Sequence, residues 1–237
     1  MILRRLQYFL SQIKMYQNQG ASYGQLKHFF KYYKSIQPGA SSVKDEQPWL
    51  TYDVIDFLKK NVNKTSKVFE YGGGGSTLFF VPRAAEVVTV EHNKDWFAIL
   101  SKMVQEKNYK NWRGSFHLAE KGDLVSNPEK GNPDHYSSGD AESKGFNYKA
   151  YVTHIDQFAD GYFDFVLVDG RSRSSCIKHS VSKLKKGGFL ILDNSDRAYY
   201  YDGLKEIFTK HFEVVSDNFG ASPYSNEFTK TSIWIKK

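Results

Sequence analysis

Two regimes of apolar patterning divide the chain. At its start Ile2, Leu3, Leu6, Phe9, Leu10, Ile13 and Tyr16 recur at helical spacing. After a break at Gly20 to Gly24, Leu26, Phe29, Phe30 and Tyr33 do so again, which predicts two amphipathic helices. From Lys67 onward short unbroken apolar runs appear instead, in Lys67-Val68-Phe69-Glu70-Tyr71, Glu86-Val87-Val88-Thr89-Val90, Phe163-Asp164-Phe165-Val166-Leu167-Val168 and Lys185 to Leu192. Runs of that length bounded by glycines and polar residues read as buried strands. Between them Asn93 caps a predicted helix through Trp96, Phe97, Leu100 and Met103, which puts a third strand near Ser115 to Leu118, and a further helix begins near Ser174. Pro48 precedes a helix carrying Trp49, Leu50, Val54, Ile55, Phe57 and Leu58 on one face, and two last strands, Phe212 to Val215 and Thr231 to Ile235, are joined by an aromatic-rich segment from Asn218 to Tyr224. Strands alternating with helices imply an α/β chain with a parallel, doubly wound sheet, whose ligands sit beyond the carboxyl ends of its strands.

Turn-forming residues at Gln37 to Ser42 separate a helical extension with its linker, residues 1–44, from an α/β domain over 45–237. Within the domain, 121–147 is polar and rich in glycine and proline. A loop that long on the ligand side of a compact domain is expected to be a lid, with His135 and Tyr136 as contributors.

Charge sharpens this division. Of the net +7, all lies in the extension: Arg4, Arg5, Lys14, Lys27, Lys31, Lys34 and Lys44 stand there with no acid, and the rest of the chain balances 26 acids. The extension's apolar faces are expected to pack on the domain or on a second subunit, making a homodimer. The alternative is a basic surface that meets anionic lipid, an acidic glycan or nucleic acid. A composition 40% hydrophobic and 16% aromatic supplies one substantial core, and a single cysteine, Cys176, excludes an internal disulfide framework and a cysteine-based zinc site. With no apolar run near the ~20 residues of a membrane span, the reading is a cytoplasmic protein, at most peripheral to a membrane.

The chemistry gathers at Gly72-Gly73-Gly74-Gly75-Ser76-Thr77, a tight turn between a strand ending in Glu70-Tyr71 and a helix start. Such a turn presents backbone N–H groups with no Cβ in the way of a ligand. Nineteen residues after Gly72, Glu91 ends the next strand, where an acid accepts hydrogen bonds from ribose hydroxyls in nucleoside-binding α/β folds. Thr77 stands where a dinucleotide fingerprint has its third glycine, so a pyrophosphate cradle is disfavoured. Asp169 and the pair Asp193-Asn194 end two later strands, which puts acids at four strand tips on one rim.

The series Glu70-x-Gly72-x-Gly74-x-Ser76 followed by Glu91 resembles the first two motifs of class I S-adenosylmethionine-dependent methyltransferases, from about Pro48 to the C-terminus. The resemblance implies a Rossmann-like doubly wound seven-stranded sheet, mostly parallel, with an antiparallel C-terminal strand inserted beside the fifth. It implies that Glu70, Gly72, Gly74 and Ser76 serve the methionine end of the cofactor, Glu91 its ribose and His92 its adenine. An acid after strand four and Asp-Asn after strand five resemble the metal site of catechol-type O-methyltransferases, so Asp169, Asp193 and Asn194 are expected to hold Mg2+ or another divalent cation. That family has a lysine three residues after the first acid, where this chain has Ser172 between Arg171 and Arg173. Arginine is a poor base but a bidentate anion holder, so Asp169, Arg171 and Arg173 are expected either to hold an anionic acceptor or to order the loop through carboxylate pairs.

The expected activity is methylation of a hydroxyl on a small or glycan-like, anionic acceptor. A spermidine synthase-like aminopropyltransferase shares the fold but expects an acid within the glycine run. A nucleic-acid methyltransferase of the amino-methylating kind expects Asp/Asn-Pro-Pro-aromatic where Asp169-Gly170-Arg171-Ser172 stands, which disfavours nucleic acid as partner. A non-catalytic binding module of the same fold needs neither Glu91 nor the glycine turn.

Overall fold

A computed structural model describes residues 2–237; Met1, the first residue of the extension, lies outside the described residues. In chain order the elements are α1 (Ile2–Met15), α2 (Phe29–Ser35), α3 (Tyr52–Asn61), β1 (Lys67–Tyr71), α4 (Gly75–Phe80), β2 (Glu86–Glu91), α5 (Lys94–Glu106), β3 (Trp112–Phe116), β4 (Glu120–Lys121), β5 (Phe146–Asn147), α6 (Lys149–Thr153), β6 (Phe163–Val168), α7 (Arg173–Lys183), β7 (Leu184–Asp193), α8 (Lys205–His211), β8 (Phe212–Ser216), β9 (Phe219–Gly220) and β10 (Thr229–Lys236).

The main sheet runs in the order β3-β2-β1-β6-β7-β10-β8, with β9 paired to β10 beside that path, and β4 and β5 form a separate two-stranded ribbon. β1, β2, β3, β6 and β7 are mutually parallel, whereas β10 lies antiparallel between β7 and β8. Side-chain alternation sends Val68, Val87, Phe165, Leu167, Ile191 and Ile233 to one face, and Phe69, Val88, Val166, Leu190, Leu192 and Trp234 to the other. Strands buried on both faces need apolar residues at nearly every position, which is why they read as unbroken runs. The sheet reverses direction of winding between β1 and β6, and there the ends of β1, β2, β6 and β7 form one rim.

The third strand begins at Trp112, earlier than its most apolar residues suggest, because Trp112 pairs with Val87 and turns its indole N–H to Thr89 Oγ1 at 2.8 Å. The second helix of the extension is shorter than its periodicity predicts: Tyr23–His28 is a 3-10 turn, opened by Ser22, whose hydroxyl accepts from Gly24 N.

The extension shares the core of the domain. Phe9, Ile13, Phe29 and Tyr32 are buried with α3 and the residues before β10, and Phe9 meets Phe228 edge-on with ring centroids 5.0 Å apart. Backbone groups of the domain are completed by extension side chains: Phe228 N donates to Gln12 Oε1 at 3.1 Å, and Ala221 N to Gln25 Oε1 at 3.2 Å. His28, 1% exposed, lies 2.9 Å from Asp53 on α3. That hydrogen bond, helped by Lys27 and Gln25 against the cost of burial, holds the Asp53 carboxyl well below the usual range. Phe9→Ala is therefore expected to cost about 3–5 kcal/mol of stability. That lowers the melting temperature by on the order of 10 °C for a chain of this size. A thermal scan of the variant against the parent checks it, and an unchanged midpoint would mean that the extension is not part of the folding unit.

Candidate functional site

The rim at the switch point carries the glycine turn. Gly72 has φ +90 and donates its N–H to Val90 O at 2.9 Å; a Cβ there would stand 3.1 Å from Asp169 O and from the Gly170 Cα. Left-handed backbone and close approach of β6 both require glycine at that position. At Gly75 the demand is different: a Cβ would press into the carbonyl oxygens of Ser42 and Gln47. The linker after the extension thus lies directly over the turn and roofs it.

Glu70 departs from the role implied for it. It is fully buried on the α4 side of β1 and does not line the cavity at the turn. Its carboxyl accepts from Ser76 Oγ at 2.7 Å, from Thr89 Oγ1 at 2.7 Å and from the Thr77 hydroxyl, and Thr77 Oγ1 in turn accepts Gly74 N at 3.1 Å. Glu70 is therefore the internal brace of the turn, and Ser76, although on the cavity wall, turns its hydroxyl to that brace. Burial pushes the Glu70 carboxyl up to about 7, the three hydroxyls offsetting only part of the effect. A folded-state value above the unfolded one means that the unfolded chain loses its proton first, so stability falls as pH rises from about 4.5 to 7. Glu70→Gln keeps an acceptor for Thr77 and Thr89 and offers a donor to Ser76. From pH 5 to pH 8 the parent is expected to lose up to about 3 kcal/mol relative to this variant, read from denaturant midpoints at the two pH values. Parallel pH profiles would show that Glu70 does not titrate in this range.

Glu91 lies at the end of β2, 3% exposed, and faces the turn. Its Oε1 accepts the backbone N–H groups of His92 and Asn93, both at 2.8 Å, and its Oε2 accepts Gly73 N at 3.0 Å. Burial raises its carboxyl, but the His92 side chain and the Asn93 and Gly73 N–H groups outweigh that and hold it below the usual range, so it is ionised. A carboxylate has about four acceptor sites. Three are taken by backbone N–H groups and His92 Nδ1 stands 2.9 Å from Oε1, so the acceptor capacity left is on Oε2.

Gly72, Gly74, Ser76, Glu91 and His92 come together around one cavity of about 330 Å3, with Trp49, Trp96, Asp169, Arg171 and Arg173 completing its wall. A second cavity, also about 330 Å3, continues past His92 and Arg171 to Asn93, Leu118, Ser143, Phe146 and Tyr148. The volume is at the small end of what ligand pockets have. The residues fit a nucleoside-type ligand: glycine backbone at one end, an ionised acid with an open acceptor site in the middle, and at the other a slot of mixed lining in which Leu118, Phe146 and Tyr148 supply the apolar part. Trp96 is fixed by its indole N–H on Gly73 O at 2.7 Å. Its helical spacing marked it only as core, as it did Trp49, and neither could be told from core by periodicity.

The loop over 121–147 reaches this site by other residues than expected. His135 Nδ1 accepts Glu129 N within the loop at 3.0 Å, and Tyr136 pairs with His179 on α7 at 3.2 Å. Asp140 instead accepts Arg171 Nη1 at 2.7 Å, while Arg171 Nε meets His92 Nε2 at 3.2 Å. Arg171 thus ties the loop to the second strand's tip.

Asp169, Asp193 and Asn194 line a third cavity, about 270 Å3, together with Trp49, Ser225 and Thr229. Asp169 also faces the glycine-turn cavity, so it is the common wall of the two. The trio does meet, yet Arg173 already supplies its cation. Arg173 Nη2 lies 3.1 Å from Asp169 Oδ1, Nη1 donates to the Asp193 carbonyl and stands 4.0 Å from Asp193 Oδ2, and Nε donates to Gly170 O at 3.0 Å. Asp193 Oδ1 is further engaged by Thr231 Oγ1 at 2.8 Å. A divalent ion beside that guanidinium meets like-charge repulsion and finds one oxygen of each acid already bonded, so the arrangement fits a built-in arginine rather than a metal. The expected divalent site is corrected on that ground, and both arginines are engaged by carboxylates.

No family model matches the chain, and no curated protein does. Solved structures with a similar course include a Streptococcus mutans protein in complex with SAH (14% identity, TM-score 0.47, covering 77% of this chain and 94% of that one). Others are an rRNA methylase of Streptococcus thermophilus (14%, 0.47, 76% and 92%) and the N-methyltransferase NodS of Bradyrhizobium japonicum (12%, 0.45, 76% and 89%). Likenesses of this strength say nothing about activity. On its own strand order, with β10 inserted antiparallel between β7 and β8 and the glycine turn at the end of β1, the chain has a Rossmann-like doubly wound fold, mostly parallel with an antiparallel C-terminal strand.

Proposed function

We propose that the protein is an S-adenosylmethionine-dependent methyltransferase acting on a hydroxyl of a small or glycan-like, anionic acceptor. The observation that carries this reading is the position of Asp169 as the wall between the glycine-turn cavity and the chamber of Asp193, Asn194, Ser225 and Thr229. A donor along the turn and an acceptor in the chamber meet at that carboxyl. The sulfonium of the cofactor supplies an electrophilic methyl group, and the protein's part is proximity, orientation and disposal of one proton. Gly72 to Gly75 and Glu91 hold the donor, with His92 beside the slot of Leu118, Phe146 and Tyr148. Burial and the neighbouring Asp193 push the Asp169 carboxyl up, Arg173 opposing them, and in its ionised form this carboxylate is the group placed to receive the hydroxyl proton. Arg173 fixes Asp169 against Asp193, and Arg171 keeps the loop over the slot.

Calorimetric titration with S-adenosylmethionine, S-adenosylhomocysteine and decarboxylated S-adenosylmethionine tests the reading. The first two should bind and the third more weakly. Preference for the decarboxylated compound would move the protein to aminopropyl transfer, and binding of none would leave a non-catalytic module.

A further inference from the structure

A cavity of about 570 Å3, larger than the one at the glycine turn, lies apart from it. It opens between α2, the linker and Tyr224, and Lys31, Lys34 and Lys44 stand on its wall. These are three of the seven basic residues of the acid-free first 44 positions. Their charge is poorly matched from within: Lys31 reaches Asp56 at 3.4 Å, Lys44 Nζ donates only to Gly39 O at 3.1 Å, and Lys34 makes no salt bridge among the described residues. The one acid on the wall, Asp45, accepts the Tyr224 hydroxyl at 3.1 Å. The floor is hydroxylic and already satisfied, with Tyr52 OH donating to Ser35 Oγ at 3.0 Å and Ser35 Oγ to Tyr32 O at 2.9 Å.

Its location ties it to the site. Gln47 lines this cavity while its carbonyl lies against Gly75, so the linker that walls the lysines also roofs the turn. Tyr224 lines it too, and its ring meets Trp49 edge-on with centroids 5.9 Å apart. Trp49 in turn borders both the glycine-turn cavity and the chamber of Asp169 and Asp193. The Trp49–Tyr224 pair is thus the partition between a cationic cavity and the acidic chamber.

We propose that the lysine cavity is the subsite for a phosphate or sulfate group on the acceptor, whose hydroxyl reaches past Trp49 to Asp169. This deepens the methyltransferase reading and rests on it for the acceptor's role. Lysine ammoniums are compact, rotatable point charges suited to a tetrahedral oxyanion. Arg171 and Arg173, which the sequence singled out for an anion, already have carboxylate partners in Asp140 and Asp169, whereas these lysines are largely without one. Asp45 on the wall opposes a run of phosphates such as a nucleic acid presents.

The test titrates the full chain with inorganic phosphate, inorganic sulfate and phosphatidylglycerol vesicles, and compares it with Lys34→Ala/Lys44→Ala, whose exposed stems leave the core intact. Phosphate and sulfate are expected to bind the parent and to bind the double variant at least about tenfold more weakly, a loss of one ion pair's worth. S-adenosylhomocysteine affinity is expected to be the same in both. Equal oxyanion affinity in parent and variant overturns the subsite, and so does a parent that sediments with vesicles but ignores free phosphate and sulfate, which makes the lysines a lipid-surface contact. Oxyanion binding that depends on the lysines in a protein that takes no S-adenosylhomocysteine sustains the subsite and sinks the methyltransferase reading alone.

Discussion

Arg173→Ala is expected to destabilise the protein by about 3–5 kcal/mol and to make it responsive to manganese, to which the parent is indifferent. Two carboxyls share the end of β6 and β7, and the guanidinium between them is the only cation in contact with both among the described residues. Without it, Asp169 and Asp193 are left facing each other, and the carbonyls of Gly170 and Asp193 lose their donor. The vacated space is then bordered by two carboxylates and Asn194, an oxygen set suited to a hard divalent ion. Millimolar manganese should therefore raise the melting temperature of the variant by mass action and leave that of the parent unchanged. Arg173→Lys restores charge without the fork that reaches three acceptors at once, and should fall between the two. If manganese stabilises the parent, and Asp193→Asn removes that effect, Arg173 is not the site's cation and a divalent ion belongs there.

The residues that were legible in sequence are those whose role is a property of local pattern. Unbroken apolar runs fixed β1, β2, β6 and β7 because strands buried on both faces have no alternation to lose. Glycine at 72 and an acid at 91 were legible because backbone geometry and strand ends leave few other uses for them. Glu70 was misplaced because its position in the pattern is that of a site acid, while its environment, with Ser76, Thr77 and Thr89 all turned toward it, is a tertiary fact. Arg173 shows the same limit from the other side. An i, i+4 spacing to Asp169 signals a contact on a helix, but Asp169 precedes the helix, and only the fold brings Asp193 to the same guanidinium. Trp49 and Trp96 cannot be told from core in sequence because an indole on an apolar face looks alike whether it meets a methyl group or a cavity. Asp140 and Phe146 had no signal, since a polar loop has no period from which to say which residue turns inward.

Glu91→Ala is expected to weaken S-adenosylhomocysteine binding by roughly 100-fold or more. In the proposed role, the open acceptor site on Oε2 would take one charge-assisted hydrogen bond from the ligand, worth about 1.5–3 kcal/mol. The larger part of the loss comes from the protein itself. The N–H groups of Gly73, His92 and Asn93 all end on this carboxylate, and an alanine leaves them without an acceptor in a buried corner, where each costs about 1–3 kcal/mol. The turn must then open to water, and the cavity it shapes opens with it. Glu91→Gln separates the two contributions. Its carbonyl oxygen retains the His92 and Asn93 bonds, while its amide group opposes Gly73 N–H and turns the remaining acceptor site into a donor. The glutamine variant should therefore keep its melting temperature closer to the parent than the alanine variant does, yet lose most of the ligand affinity. Full affinity in either variant would remove Glu91 from the ligand's contacts and reduce it to a brace of the glycine turn, the role that Glu70 already has.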